Sequence, residues 1–134
     1  MEVTNTFGPI DIATSGMRAQ KQLMEVISSN VANARTTDAG KGEPYRRLEA
    51  ILKTDEEGIS GVSMDRIVPD RSDFYKIFDP GNPDADDQGY VAMPNVNLPT
   101  EMINLTIATR TYQANAAILR RYQQMVETTF ELLR

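Results

Sequence analysis

The side chains that come closest to forming a chemical site are carboxylates in an acidic turn. Asp84, Asp86 and Gln88 stand at the first, third and fifth positions of a calcium-loop pattern. The twelfth position, where such a loop needs a glutamate that binds through both oxygens, is Asn95. The same carboxylates could instead supply the acid and base of a glycosidase-like hydrolase. Carboxylates crowded in one turn are usually solvated, so a plain acidic turn is favoured and a calcium-responsive binding module is the alternative.

Composition removes most other kinds of catalytic or metal site. The 134 residues include neither cysteine nor histidine, which excludes disulfides, thiolate nucleophiles, imidazole ligands and a Ser-His-Asp triad. The formal net charge of −5 opposes nonspecific binding to nucleic acid. We therefore expect a protein that is not an enzyme, holds no metal or other cofactor, and has no nucleic-acid partner.

No segment of the sequence predicts membrane insertion or a cleaved leader. No stretch approaches the roughly 20 apolar residues that cross a bilayer. The first residues lack a basic region followed by an apolar core, so we expect no cleavable signal peptide.

Charge and composition divide the chain into three predicted segments. The whole negative excess, and most of the proline and glycine, lies in the middle of the chain. We predict an N-terminal helix within residues 1–34, a small β-rich insertion in residues 35–99, and a C-terminal helix in residues 100–134.

The insertion is predicted to contain short strands rather than helices. Apolar runs at residues 45–53 and 59–68 flank an acidic turn and predict a hairpin. Residues 74–78 predict a further strand, which the proline-rich acidic turn then ends.

Both terminal segments have the apolar spacing of long amphipathic helices. From Ile10 to Ala34 there is no proline, and apolar residues recur at steps of three and four. In the C-terminal segment Thr100 is the predicted cap, and Glu101 adds a favourable charge to the first turn. Thirty-five helical residues would extend roughly 52 Å, whereas a compact chain of this length is only about 36 Å across.

These lengths predict an elongated, mainly α protein with a small β-rich insertion. The two terminal helices should pair with each other as an antiparallel coiled-coil hairpin. Apolar residues also lie outside that seam, so the helices should pack further into an oligomer. As a free monomer, the helices should be only partly ordered.

Several segments resemble bacterial flagellar axial proteins. The N-terminal signature of that family is matched by residues 15–20, SGMRAQ, and by residues 26–34, VISSNVANA. Its C-terminal signature is matched by Glu101-Met102 and by residues 110–115, RTYQAN. The segment from residue 78 to residue 97 is similar to the corresponding part of a basal-body rod member of the family.

The resemblance implies a structural subunit of the proximal flagellar rod, a drive shaft that transmits torque across the periplasm. It implies a helical tube built from paired terminal helices, which also forms part of the export channel wall. The implied partners are copies of the chain, the rod proteins FlgB, FlgF and FlgG, the adaptor FliE, and the flagellar type III export apparatus. The implied location is the rod of the basal body, reached without a cleaved signal and without membrane insertion.

The apolar seam and the two signatures together give the expected subunit-interface residues. They are Met17, Met24, Ile27, Asn30, Val31, Asn33, Leu105, Tyr112, Asn115, Leu119, Tyr122 and Val126. Ordinary packing within the chain is the alternative interpretation of the seam residues, and Asn115 could fix the register or lie exposed.

Overall fold

The computed structural model describes residues 8–40, 42–54 and 61–133. Two long helices flank four strands in the sequence, in the order α1, β1, β2, β3, β4, α2, and the strands form two small β-sheets. The elements are α1 (Pro9–Ala32), β1 (Leu48–Thr54), β2 (Val62–Pro69), β3 (Tyr75–Phe78), β4 (Tyr90–Met93) and α2 (Leu98–Leu132). The predicted class, mainly α with a small β-rich insertion, is confirmed.

Helix α1 begins and ends with polar groups that satisfy its free backbone atoms. Pro9 occupies the first turn, where a missing N–H costs nothing. The Asp11 carboxylate accepts the backbone N–H of Gly8 at 3.2 Å, and it also lies at the favourable end of the helix dipole. At the other end the Asn33 side chain donates to the Ser29 carbonyl at 2.9 Å, which closes the last turn just before the predicted end at residue 34.

Helix α2 begins earlier than predicted. Its cap is Asn97, whose side-chain oxygen accepts both the backbone N–H and the hydroxyl of Thr100 at 3.0 Å. Pro99 lies inside the first turn rather than before the cap, where its fixed φ suits the helix. The prediction that Thr100 caps the helix was therefore wrong, because Pro99 is part of the first turn and Asn97 caps the helix before it.

The two helices contact each other in opposite order along the chain. Asn30 meets Glu101 near one end, Met24 accepts the Thr109 hydroxyl further along, and Gly16 lies against Asn115. Counting on from these pairs places the start of α1 opposite roughly residue 123. The last turns of α2 therefore extend about 15 Å past the described part of α1. Neither helix, over the residues described, holds an apolar stretch long enough to span a membrane.

The strands form two separate antiparallel pairs. β1 and β2 pair from Leu48 opposite Pro69 to Thr54 opposite Val62, with a register shift between Ile51 and Leu52. This pair contacts α1 and confirms the predicted hairpin. Residues 55–58 of its predicted acidic turn lie outside the described residues.

The second pair contains one strand that the sequence analysis did not predict. β3 pairs with β4 from Tyr75 opposite Met93 to Phe78 opposite Tyr90. β4 has only four residues and follows a long acidic turn, so alternation alone does not reveal it. Pairing with β3 holds these four residues in an extended strand. At the end of the pair the Phe78 and Tyr90 rings pack edge to face, with 5.3 Å between their centroids.

Candidate subunit-interface surface and its supporting joint

The predicted interface residues are buried or half-buried, and none of them is fully exposed. Ile27 and Asn30 are buried, and the other ten are half-buried: Met17, Met24, Val31, Asn33, Leu105, Tyr112, Asn115, Leu119, Tyr122 and Val126. Those on α2 share the side of the helix that carries the buried Glu101 and Ala108. Whether these residues also contact other subunits stays a prediction.

Asn30 is the centre of a buried hydrogen-bonded joint between α1 and the start of β1. Its side-chain oxygen accepts the backbone N–H of Leu48 at 2.9 Å and the Tyr45 hydroxyl at 3.0 Å. Its amide donates to the Leu48 carbonyl at 2.8 Å and to Glu101 at 3.3 Å. Because the side chain is 1% exposed, these bonds replace water completely and fix β1 on the helix.

Glu101 and Arg47 carry the charge of this joint. The Glu101 side chain is 1% exposed, and it accepts the Arg47 Nε–H at 2.7 Å. Burial lowers the pKa of the Arg47 guanidinium, but the hydrogen bond and charge of Glu101 outweigh burial and raise that pKa above its usual value. The pair connects the first turn of α2 to the chain just before β1.

A second layer of polar contacts extends the joint to the segment before β3. Asn95 accepts the backbone N–H of Arg47 at 2.8 Å and donates to the carbonyls of Asp70 and Ser72. Asp70 also receives Arg47 Nη1 at 3.5 Å. The backbone N–H and hydroxyl of Ser72 lower the pKa of the Asp70 carboxyl, with a smaller contribution from Arg47. Arg46 donates to the same carbonyls and lies 4.1 Å from the Phe74 ring centroid.

The far end of the hairpin is held on α1 by very small residues. The Ser15 hydroxyl accepts the backbone N–H of Val62 at 3.1 Å and donates to the Ile12 carbonyl at 2.8 Å. A Cβ on Gly61 would lie 2.8 Å from the Cβ of Ser15, so only glycine fits there without movement. On the other side of α1, a Cβ on Gly16 would lie 2.7 Å from the Asn115 side-chain nitrogen.

The acidic turn uses its carboxylates for local structure. Asp84 accepts the Thr37 hydroxyl at 2.6 Å, which joins the turn to the loop after α1. Asp86 accepts the backbone N–H groups of Gln88 and Tyr90, and its other oxygen receives Lys76 at 3.2 Å. Among the residues that the structure describes, no group of three or more acidic side chains is placed to hold a metal ion. No contact of this turn favours the calcium or hydrolase alternatives.

An apolar stripe on α2, interrupted by Arg121, lies apart from the helix seam. This outer stripe consists of six residues: Ile103, Ile107, Ala114, Ile118, Met125 and Leu132. At 100° per residue around the helix axis, all six fall within about 60° of each other. The five larger side chains are between 48% and 83% exposed. The outer stripe runs roughly 43 Å along the helix, and nothing in the described part of the chain covers it.

Sequence reasoning missed the charged half of the joint. The sequence analysis assigns Glu101 only a favourable charge in the first turn and gives Arg47 no role, yet the two meet across 54 residues of chain. Asn95 was considered only as the twelfth position of a calcium loop, where it does not provide the glutamate that such a loop needs. One signal was available: Arg47 and Glu101 each adjoin the end of a predicted element, which is where a contact between elements must form.

Two family models match the ends of the chain. The model described as "Flagella basal body rod protein" matches residues 10–39, and the one described as "Flagellar basal body rod FlgEFG protein C-terminal" matches residues 87–132. These matches include Ser15 and Asn30 of α1 and the whole of α2.

Several relatives match this chain over nearly the whole length of both proteins. It is similar to the flagellar basal-body rod protein FlgC of Agrobacterium fabrum, with 39% identity over 92% of this chain and 91% of the relative. The corresponding protein of Salmonella typhimurium is 36% identical over 98% of each chain. That of Bacillus subtilis is 34% identical over 94% of this chain and 97% of the relative.

Proposed function

The chain belongs to the FlgC family of flagellar basal-body rod proteins, and from this premise we propose that it is a structural subunit of the proximal rod. In this role it transmits torque across the periplasm and forms part of the wall of the export channel. The two helices act as an antiparallel coiled-coil hairpin that stacks with others into a helical tube.

The observation that carries the proposal is the outer stripe of α2. Full burial of a half-exposed isoleucine or methionine is worth roughly 1 kcal/mol, so the stripe as a whole supplies several kcal/mol when a neighbouring helix covers it. A stripe along nearly the whole helix suits lengthwise packing against other helices, and a compact ligand would cover only part of it.

The buried joint supports the mechanical part of the proposal. Load that enters through α2 reaches Glu101, passes through Arg47 and Asn30, and so reaches the insertion. Because Asn30 and Glu101 are each 1% exposed, sliding the insertion along the helices would break several bonds together and leave these two buried groups unpaired. A joint of this kind keeps the subunit from deforming under torque.

The partners that we propose follow the same premise. They are copies of this chain, the rod proteins FlgB, FlgF and FlgG, the adaptor FliE, and the flagellar type III export apparatus that delivers the subunit. The proposed location is the rod of the basal body, which the subunit reaches without a cleaved signal. We propose that the ten half-buried residues among the twelve contribute to subunit contacts through their exposed edges, while Ile27 and Asn30, which are buried, position them from within.

The test places a charge on the outer stripe without touching the joint. Ile118→Asp and Met125→Asp are compared with Gln124→Asp, a matched change on the polar side of the same helix. Each variant replaces the native gene in the source bacterium, and basal bodies are purified and probed for the subunit. We expect both stripe variants to be made and secreted but absent from basal bodies, with loss of swimming, while Gln124→Asp assembles. Normal incorporation of both stripe variants would refute the interface.

A further inference from the structure

A cleft lies between the outer stripe and strand β1. Its volume is about 270 Å³, and it is lined by one side of α1, by the start of β1 and by α2 from Glu101 to Thr111. Ile107, a member of the outer stripe, forms part of the wall, so the cleft opens beside the stripe. A neighbouring helix that covers the stripe therefore also covers the mouth of this cleft.

The lining of the cleft has an excess of negative charge. Glu49 and Glu101 supply two carboxylates, and Arg47 supplies one guanidinium, which already bonds Glu101 at 2.7 Å. Glu49 is exposed and forms no salt bridge with any residue that the structure describes. The mouth of the cleft therefore presents an unpaired carboxylate that suits a cationic side chain.

Arg121 is the charged residue within the arc of the outer stripe. At 100° per residue it falls at the same angle as Ile103. No acidic residue lies three or four positions away from it in the sequence, and within the described part of the chain it forms no salt bridge. Burying an arginine without a carboxylate would oppose the packing that the stripe favours. A neighbour that covers the stripe should therefore offer Arg121 a negative charge.

The cleft and Arg121 lie at different levels along α2. The middle of the α2 wall of the cleft is about fifteen residues before Arg121, or roughly 22 Å, so Arg121 does not reach the cleft of its own chain. A second copy that runs in the same direction, shifted by about 22 Å, brings its Arg121 to the mouth and leaves roughly half of each stripe covered. Such a contact joins two different patches of identical chains, so it repeats head to tail and builds a helical assembly.

We propose that Arg121 of one copy docks at this cleft in the next copy, where its guanidinium pairs with the Glu49 carboxylate. The inference rests on the proposed function, because it supplies the register for helices that pack through the outer stripe. Aliphatic side chains alone specify a lengthwise shift weakly, whereas a charged pair beside an apolar seam selects one register and one partner. The planar guanidinium also suits a carboxylate better than a lysine ammonium would.

A cysteine pair tests the contact directly, because the chain has no cysteine of its own. Arg121→Cys is combined with Glu49→Cys, and basal bodies purified from the source bacterium are oxidised and run on a non-reducing gel. A disulfide needs Cα atoms within about 7 Å, so bridges form between copies and not within one chain. We expect bands at two, three and more times the mass of the chain.

The control pair is Gln124→Cys with Glu49→Cys, in which the α2 cysteine lies on the polar side of the helix. It should give the single-chain band alone. The same result for Arg121→Cys with Glu49→Cys would overturn the proposal. A dimer band with no higher multiples would also overturn it, because that pattern indicates a closed pair of copies rather than a repeating contact.

Charge reversal separates this proposal from the proposed function. Arg121→Glu should lower the amount of subunit in basal bodies about tenfold or more, and adding Glu49→Arg should restore most of it. Arg120→Glu, the same change on the adjacent polar side, should incorporate normally. If Arg121→Glu incorporates normally while Ile118→Asp is excluded, the charged pair is refuted and the stripe interface stands. If Ile118→Asp also incorporates normally, the proposed function itself is refuted.

Discussion

The Arg47–Glu101 pair should respond asymmetrically when its two members are removed. Arg47→Met keeps most of the side-chain volume but leaves the Glu101 carboxylate, 1% exposed, with only the Asn30 amide at 3.3 Å. A buried charge that loses its partner costs about 3–5 kcal/mol in the free energy of unfolding. Glu101→Gln removes the charge, preserves the shape and keeps an oxygen that accepts from Arg47.

Arg47 is better placed than Glu101 to survive alone. Its side chain is 22% exposed and has a second carboxylate, Asp70, at 3.5 Å. We therefore expect Glu101→Gln to cost only about 1–2 kcal/mol, close to one weakened charged hydrogen bond. The double variant should be more stable than Arg47→Met alone, because it no longer buries an unpaired charge.

Urea unfolding of the full-length monomer at pH 7, followed by far-UV circular dichroism, measures these differences. The midpoints should fall in the order wild type, Glu101→Gln, double variant, Arg47→Met, with similar slopes. Raising the salt concentration should leave the order intact, because buried pairs are poorly screened. Equal costs for the two single variants, or a cost below about 1 kcal/mol for Arg47→Met, would show that water reaches the pair and that the joint is not dry.

Two further outcomes follow from the same geometry. The Asp70 and Asp86 carboxyls have a lowered pKa in the folded chain, so the stability that they contribute is present above about pH 4 and is lost as pH falls through the folded pKa values. In thermal melts from pH 6 to pH 2, the melting temperature should fall steeply at the acid end, and Asp70→Asn should make that fall shallower. Gly16→Val should lower the free energy of unfolding by about 2–3 kcal/mol, because the larger side chain pushes Asn115 out of the contact between the helices. Adding Asn115→Ala should recover at least half of that loss in urea unfolding. No recovery would show that the strain lies elsewhere.

Periodicity predicted the helices well because their signal is local and long. Both terminal helices, the first hairpin and the strand at β3 could be predicted from residues within a few positions of each other. The helix α2 starts earlier than predicted because Pro99 lies inside its first turn and Asn97 is the cap. β4 was missed because its pairing with β3, rather than its own four residues, defines it.

The joint could not be predicted by the same route. Its bonds connect Asn30 to Leu48 and Glu101 to Arg47, separations over which composition and periodicity carry no information. A glutamate in the first turn of a helix is usually exposed, so Glu101 looked like a dipole charge. Only the meeting of three elements at one point buries the Glu101 carboxylate and leaves its partner Arg47 half-buried beside it.

The positions of the signature residues distinguish contacts within the subunit from contacts with neighbouring subunits, which the sequence analysis assigned to the same residues. Ser15, Gly16, Asn30 and Asn115 all bond or pack inside the chain, where they hold the hairpin and the two helices together. The surface left for neighbours is the outer stripe, made of ordinary aliphatic residues that take no part in those contacts. Placing charges on stripe residues should therefore prevent assembly while the internal joint stays intact. Substituting signature residues should weaken the subunit itself, whatever neighbour it meets.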